Sequence, residues 1–350
     1  MIDLNGMPRL LEPLAEKRTP IVLASDANYV VYMSIALKSV LVNANPDRQY
    51  EVVILDGGIP QYDRAVISHM VKPHANVTLR FADMRPIEEF YQGLYTRAYL
   101  TSAAYLRVFL PFVMPDYAQA LYLDCDVIML GDVAELLDLD MSDHYLGASI
   151  DGSQLFDLAQ SKAGELDETW LEYKTDRLGF TGDKFLRYFN SGVLLMNLEK
   201  MREDGVRTQL EGLFTEKFMT LDQDMLNLVG RDRSVLYFDP AWNVFPYDDE
   251  LYEFGKDRFP DFYAQVMEGR ADPKVVHFLH TEKPLNQRVR YDHYFWHYSR
   301  MTPYHERAVE QFETSQRQVL RRNLLGRETT RALAFYEKWY SRLQRARGSA

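Results

Sequence analysis

Three short apolar runs near the N-terminus, "PIVLAS" (20–25), "YEVVILDGG" (50–58) and "ANVTLRFADM" (75–84), are separated by two segments of helical length and pattern, "DANYVVYMSIALKSVLVN" and "QYDRAVISHMVK". This β-α-β-α-β order confines the chain to an α/β class, because strands joined by crossover helices pair in parallel and need both sheet faces covered. Ligands of such sheets bind outside the carboxyl ends of the strands. "SDANY" stands at such an end after the first run.

A fourth run, "QALYLDCDVIML" (119–130), follows "AYLRVFLPFVMP", which reads as helical up to its prolines. It carries Asp124 and Asp126 within an otherwise apolar stretch. A D-x-D alone fits ordinary turn capping. The flanks, however, suit a strand buried on both faces, and Asp132 is placed to N-cap a helix over "VAELL". Two unpaired carboxylates are costly to bury there. A divalent cation removes that cost, and close-spaced oxygen donors on a short turn suit manganese or magnesium.

At 350 residues and 47% hydrophobic content the chain can build one large α/β domain. A net charge of −11 argues against general nucleic-acid binding. The charge is uneven: residues 316–350 carry nine Lys and Arg against two Glu, or +7, which leaves −18 on residues 1–315. The one cysteine, Cys125, lies between the two aspartates, reads as a small apolar filler and fits a reducing compartment. With no leader-like N-terminus and no apolar window of membrane length, the expected location is cytoplasmic.

In the second half, "YLGASID" (145–151), "FNSGVLLMNL" (189–198), "VLYFDPAWNVFP" and "KVVHFLH" read as strands. About 40 charge-rich residues separate the first two, long for a plain connection and suggestive of a functional insert. From Pro284 the pattern is helical, through "YDHYFWHYSR" to a basic amphipathic tail. The expected division is a lead-in (1–17), one catalytic domain (18–290) and a helical C-terminal region (291–350).

There is no G-x-G-x-x-G and no P-loop, so nucleotide binding needs another device. Three groups can supply one: Asp26 with Asn28, the D-x-D, and "HFLHTEKP" with His277, His280 and Lys283. An imidazole with two carboxylates suits manganese over magnesium, and Lys283 can neutralise a diphosphate bridged by the same ion. "LDQDMLN" opens a helix with Asp222, Gln223 and Asp224, where capping and substrate contact are equal readings. His293 and His297, four apart, lack a third ligand and stand among aromatics that suit packing.

Taken together, "IVLASDANYV", "YLRVFLP", "ALYLDCDVIMLGDVAEL", "FNSGVLLMNL", "LDQDMLN" and "HFLHTEKP" resemble glycosyltransferase family 8 in order and spacing over about residues 18–290. Within it the chain is similar to the bacterial lipopolysaccharide galactosyl- and glucosyltransferases and, more distantly, to glycogenin. The resemblance implies an α/β GT-A-type domain with a Rossmann-like nucleotide-binding half, a mixed central sheet and a helical C-terminal appendage. It also implies a retaining hexosyltransferase using UDP-galactose or UDP-glucose and manganese, with magnesium as the alternative ion. By the same resemblance Asp26, Asn28 and Tyr29 hold the uridine and Arg107 contacts the donor, with Ala24, Cys125 and His280 assigned to that site. Asp124, Asp126 and His277 take the metal, and Lys283 takes phosphate oxygens. Asp151, Asn190, Asp222 and Gln223 surround the transferred sugar.

Two positions depart from the pattern: His280 stands where the family commonly has glycine, and Leu285 where it has an aromatic residue. The implied acceptor is a saccharide or glycolipid. The tail, with Leu320, Leu324, Phe335 and Trp339 flanked by arginines, suits either an anionic membrane surface or the acidic body of the protein. Two other readings remain open from the residues: a nucleotidyltransferase making sugar nucleotides, and a non-catalytic UDP-sugar-binding protein.

Overall fold

The computed structural model describes residues 4–14, 18–96, 102–157, 168–231, 235–279 and 282–320. The chain begins β1 (Ile21–Ser25), α1 (Val30–Asn43), β2 (Tyr50–Asp56), α2 (Gln61–Val71), β3 (Val77–Asp83). These strands pair in parallel in the order β3-β2-β1, as the apolar runs and crossover helices require. α1 is buried along nearly its whole length because it is enclosed between the sheet and the C-terminal helices.

α3 (Leu106–Val113) runs through Pro111 instead of ending before it. All eight of its residues are buried, and packing on every side offsets the backbone hydrogen bond that Pro111 cannot make. The fourth apolar run is also not one strand. β4 (Gln119–Leu123) pairs with β1 and then stops, and β5 (Val127–Met129) belongs to a second, two-stranded sheet. Asp124 and Asp126 therefore lie in the crossing between two sheets.

The remaining strands are β6 (Leu146–Ile150), β7 (Phe189–Asn197), β8 (Val235–Phe238) and β9 (Val275–His277). They complete a mixed seven-stranded sheet, β3-β2-β1-β4-β7-β6-β8, with β7 antiparallel to both neighbours, while β9 pairs antiparallel with β5. "VLYFDPAWNVFP" is a strand only to Phe238. Asp239 then accepts the Ala241 amide at 2.8 Å and starts a 3-10 turn over Pro240–Asn243. α4 (Asp222–Arg231) follows Leu221, whose φ of 52° turns the chain so that its first residues face the strand ends.

α5 (Asp292–Ser299) returns to α1: Phe295 packs on Tyr32 with ring centroids 5.6 Å apart, and Phe295, Trp296, Tyr304 and Ala308 share the core beneath the first sheet half. A helix over 305–320 reaches the end of the described residues. The basic tail from 321 onward and His280 lie outside them.

Candidate active site

The carboxyl ends of β1 and β4, the start of β7, the first turn of α4 and the end of β9 open on one cavity of about 440 Å³. β4 and β7 are neighbours, and the Asp124 amide donates to the Gly192 carbonyl at 2.8 Å, which brings the D-x-D beside "NSG". Cys125 Sγ donates to the Ala24 carbonyl at 2.7 Å and ties the crossing to β1. Burial pushes the Cys125 thiol up, so it packs and does not react.

Each aspartate keeps one oxygen for the protein and turns one toward His277. Asp124 Oδ1 receives Arg107 Nη2 at 2.9 Å and the Tyr122 hydroxyl at 3.1 Å, and its Oδ2 lies 3.7 Å from His277 Nε2. Asp126 Oδ2 receives Lys283 Nζ at 2.8 Å, while Oδ1 lies 3.2 Å from His277 Nε2. Burial works against the Asp126 carboxylate, but Lys283 and His277 outweigh it and hold the carboxyl well below the usual range.

Two backbone amides set the polarity of the groups behind this cluster. The Gly192 amide donates to Asn190 Oδ1 at 2.9 Å, so the Asn243 atom 2.8 Å from that oxygen is Nδ2, and Asn243 Oδ1 faces His277 Nδ1 at 3.0 Å. His277 Nδ1 is thus the donor, and Nε2 points a lone pair or a second proton at the two carboxylates. Asp124, Asp126 and His277 each turn one ligand atom toward the others, all within 4.8 Å, an arrangement that suits a metal ion. Hard carboxylate oxygens with one imidazole fit a divalent metal ion. The Ser191 amide donates to Gln223 Oε1 at 3.1 Å, and Asn190 Nδ2 does the same at 3.1 Å. Gln223 Nε2 is left to donate to Asp151 Oδ2 at 3.2 Å and the Tyr188 hydroxyl at 3.3 Å.

Arg107, 6% exposed, is spent inside the protein: Nε meets Asp222 Oδ2 at 2.9 Å, and Nη1 donates to the Ser191 carbonyl at 2.6 Å and to Ser191 Oγ at 3.3 Å. It joins Asp124 to Asp222. Burial pushes the Asp222 carboxyl up to about 7, against the pull of Arg107.

The residues expected to hold the uridine are less free than the sequence suggests. Asp26 Oδ1 accepts the Asn28 and Tyr29 amides at 2.8 and 3.0 Å, so it caps the turn into α1. Tyr29 lines the cavity with Lys283 Nζ 4.9 Å over its ring. Leu285 is core, its amide donating to the Tyr32 hydroxyl at 3.3 Å. His293 and His297 are exposed and join no metal cluster among the described residues. Asn243 and Tyr188 were not legible as site residues, since neither lies in a motif.

The sequence profile of Glycosyl transferase family 8 matches residues 20–287, and the chain belongs to that family. It is 28% identical over 301 residues to General stress protein A of Bacillus subtilis, an alignment covering 81% of this chain and 93% of that one. Its fold is similar to the WbbM bifunctional glycosyltransferase (TM-score 0.74, 25% identity), covering 86% of this chain but only 53% of WbbM. It is also similar to the galactosyltransferase LgtC solved with donor and acceptor sugar analogues (TM-score 0.60, 27% identity), with 85% of this chain and 96% of LgtC covered.

Proposed function

We propose that this family 8 glycosyltransferase moves a hexose, galactose or glucose, from a UDP-sugar to a saccharide or glycolipid acceptor with retention of anomeric configuration. The observation that carries the reading is the convergence of Asp124 Oδ2, Asp126 Oδ1 and His277 Nε2 beside Lys283, at the strand ends where the sheet must bind its ligand. Asp124, Asp126 and His277 would hold a divalent ion, which would supply Lewis-acid stabilisation of the departing diphosphate. Lys283 neutralises charge on the same phosphates as the sugar C1–O bond breaks and its electron pair leaves with UDP.

Among the described residues, neither Gln223 nor Asp222 is poised as a nucleophile. Gln223 Oε1 already accepts two amides, and the Asp222 carboxylate is paired with Arg107. This favours same-face displacement: the acceptor oxygen bonds to C1 as the C1–O bond opens, and its proton passes to the leaving phosphate oxygen. Asp151, Asn190 and Gln223 orient the hexose through hydroxyl contacts. No helix among the described residues is long and apolar enough to cross a membrane, and the proposed setting is cytoplasmic, peripheral to a membrane.

Calorimetric titration with UDP, with and without manganese, tests the donor site in the intact protein. Manganese-dependent UDP binding that falls on Asp126→Asn is the expected result, and undiminished dependence in that variant would refute the assignment. NMR of the anomeric proton tests the stereochemistry: an α-linked donor should give an α-linked product.

A further inference from the structure

The insert between Asp151 and Asn190 places a buried ion pair in the wall of the same cavity. Lys174 Nζ is bonded to Asp157 Oδ2 and donates to Gln154 Oε1 at 2.9 Å, and the side chains of Lys174 and Asp157 are 4% and 5% exposed. Tyr188 relates them to the reacting end: its hydroxyl is 3.3 Å from Gln223 Nε2, and Lys174 Nζ sits 4.5 Å over its ring. None of these groups touches Asp124, Asp126, His277 or Lys283 among the described residues. Phe156, Trp170 and Tyr247 line the cavity beside the pair, Phe156 meeting Tyr247 edge to face at 5.4 Å.

A buried ion pair is poor value for stability, because the desolvation of both charges consumes most of their attraction. Apolar side chains would fill this wall at less cost. An ammonium touching a carboxylate does suit one class of ligand, a pair of adjacent hydroxyls, one accepting from Lys174 and the other donating to Asp157. Aromatic faces at a right angle suit the C–H face of a pyranose, which is apolar on one side and polar at its rim. We propose that Lys174, Asp157 and the Phe156, Trp170 and Tyr247 wall form the subsite for the terminal pyranose of the acceptor, selecting a ring with two adjacent free hydroxyls. The inference rests on the transferase reading above and names the acceptor class for that site.

The test uses the full chain with manganese and UDP, and methyl β-D-galactopyranoside and methyl α-D-glucopyranoside as probes read by saturation-transfer NMR. A double variant, Lys174→Met with Asp157→Asn, removes both charges without orphaning either. Pyranoside binding should weaken by at least about tenfold in that variant, with the KM for UDP-sugar moving by less than about twofold. A folded double variant that binds the pyranosides like the wild type, or one whose donor KM rises in step, overturns the proposal. Should the double variant fail to fold, Phe156→Ala decides: about tenfold weaker pyranoside binding supports the subsite, and unchanged binding overturns it. Wild-type protein that binds UDP with manganese but neither pyranoside also overturns the subsite alone. Wild-type protein that shows no manganese-dependent UDP binding overturns the transferase reading instead.

Discussion

Asn243 Oδ1 stands 3.0 Å from His277 Nδ1, and the same amide donates through Nδ2 to Asn190 Oδ1 at 2.8 Å. One side chain thus fixes the imidazole facing the carboxylates and joins it to the groups around Gln223. Partners of this kind behind a metal-facing histidine set its tautomer and ring orientation. Asn243→Leu keeps the branched outline of the side chain and removes both bonds. Manganese-dependent UDP binding, measured by calorimetry, should weaken by about 10–100-fold, with the fold intact by near-UV circular dichroism.

Gly192 is the second constraint on His277. A Cβ at that position would lie 2.2 Å from His277 Cε1 and 2.9 Å from Asp124 Oδ2, distances no side chain tolerates. The glycine of "NSG" is therefore there for close approach, not for backbone freedom. Gly192→Ala should displace the imidazole and abolish manganese-dependent UDP binding, while β7 remains paired with β4 and β6. A variant that binds UDP with wild-type manganese dependence would show that His277 does not need this position.

These two residues mark where sequence reasoning reached and where it stopped. The parallel strands and their crossover helices were legible because apolar runs of strand length alternate with helical periods, and that pattern has few folded solutions. The break at Leu123 was not, because periodicity reports burial but not which partner a strand pairs with. The D-x-D read as the tail of one strand, when its position between two sheets is what turns both carboxylates toward β9. Arg107 was visible as a lone charge in an apolar helix, yet only the fold shows it spent on Asp124, Asp222 and Ser191. Asn243 is hidden in a turn and gains its role from a strand 34 residues away in sequence. Lys174 and Asp157 read as charge in an insert, and their burial depends on Tyr188 and Gln154, which no local pattern foretells.

Asp222 gives the protein a pH dependence of definite sign. Its folded carboxyl is pushed by burial to about 7, above the ordinary 3.8, so the folded state holds the proton more tightly than the unfolded chain. The stability this contributes is complete below the ordinary value and is lost as pH rises toward and through 7. Asp222→Asn cannot titrate. The wild-type melting temperature, taken relative to that variant, should fall between about pH 4 and about pH 7. A difference that is flat or rises with pH would mean that Arg107 holds the carboxylate ionised throughout.

The C-terminal sequence from residue 316 carries nine Lys and Arg against two Glu, and the helix that leads into it is described to residue 320. The helix over 305–320 is anchored at its middle and toward its end: Phe312 packs on Trp296 at 5.7 Å, and Gln316 Nε2 donates to the Asn286 carbonyl at 2.7 Å. At its end Leu320 is 61% exposed, and the sequence that follows carries Arg321, Arg322, Arg327 and Arg331. A segment of this composition is attracted to anionic lipid by about 1 kcal/mol per basic residue near the surface, and salt screens that attraction. Deletion of residues 321–350 leaves the anchored helix in place. The intact chain should sediment with anionic vesicles at low salt and not with neutral ones, and the deletion should abolish sedimentation while manganese-dependent UDP binding persists. An intact chain that ignores anionic vesicles, or a deletion that lowers the melting temperature by several degrees, would instead assign the tail to packing against the acidic body.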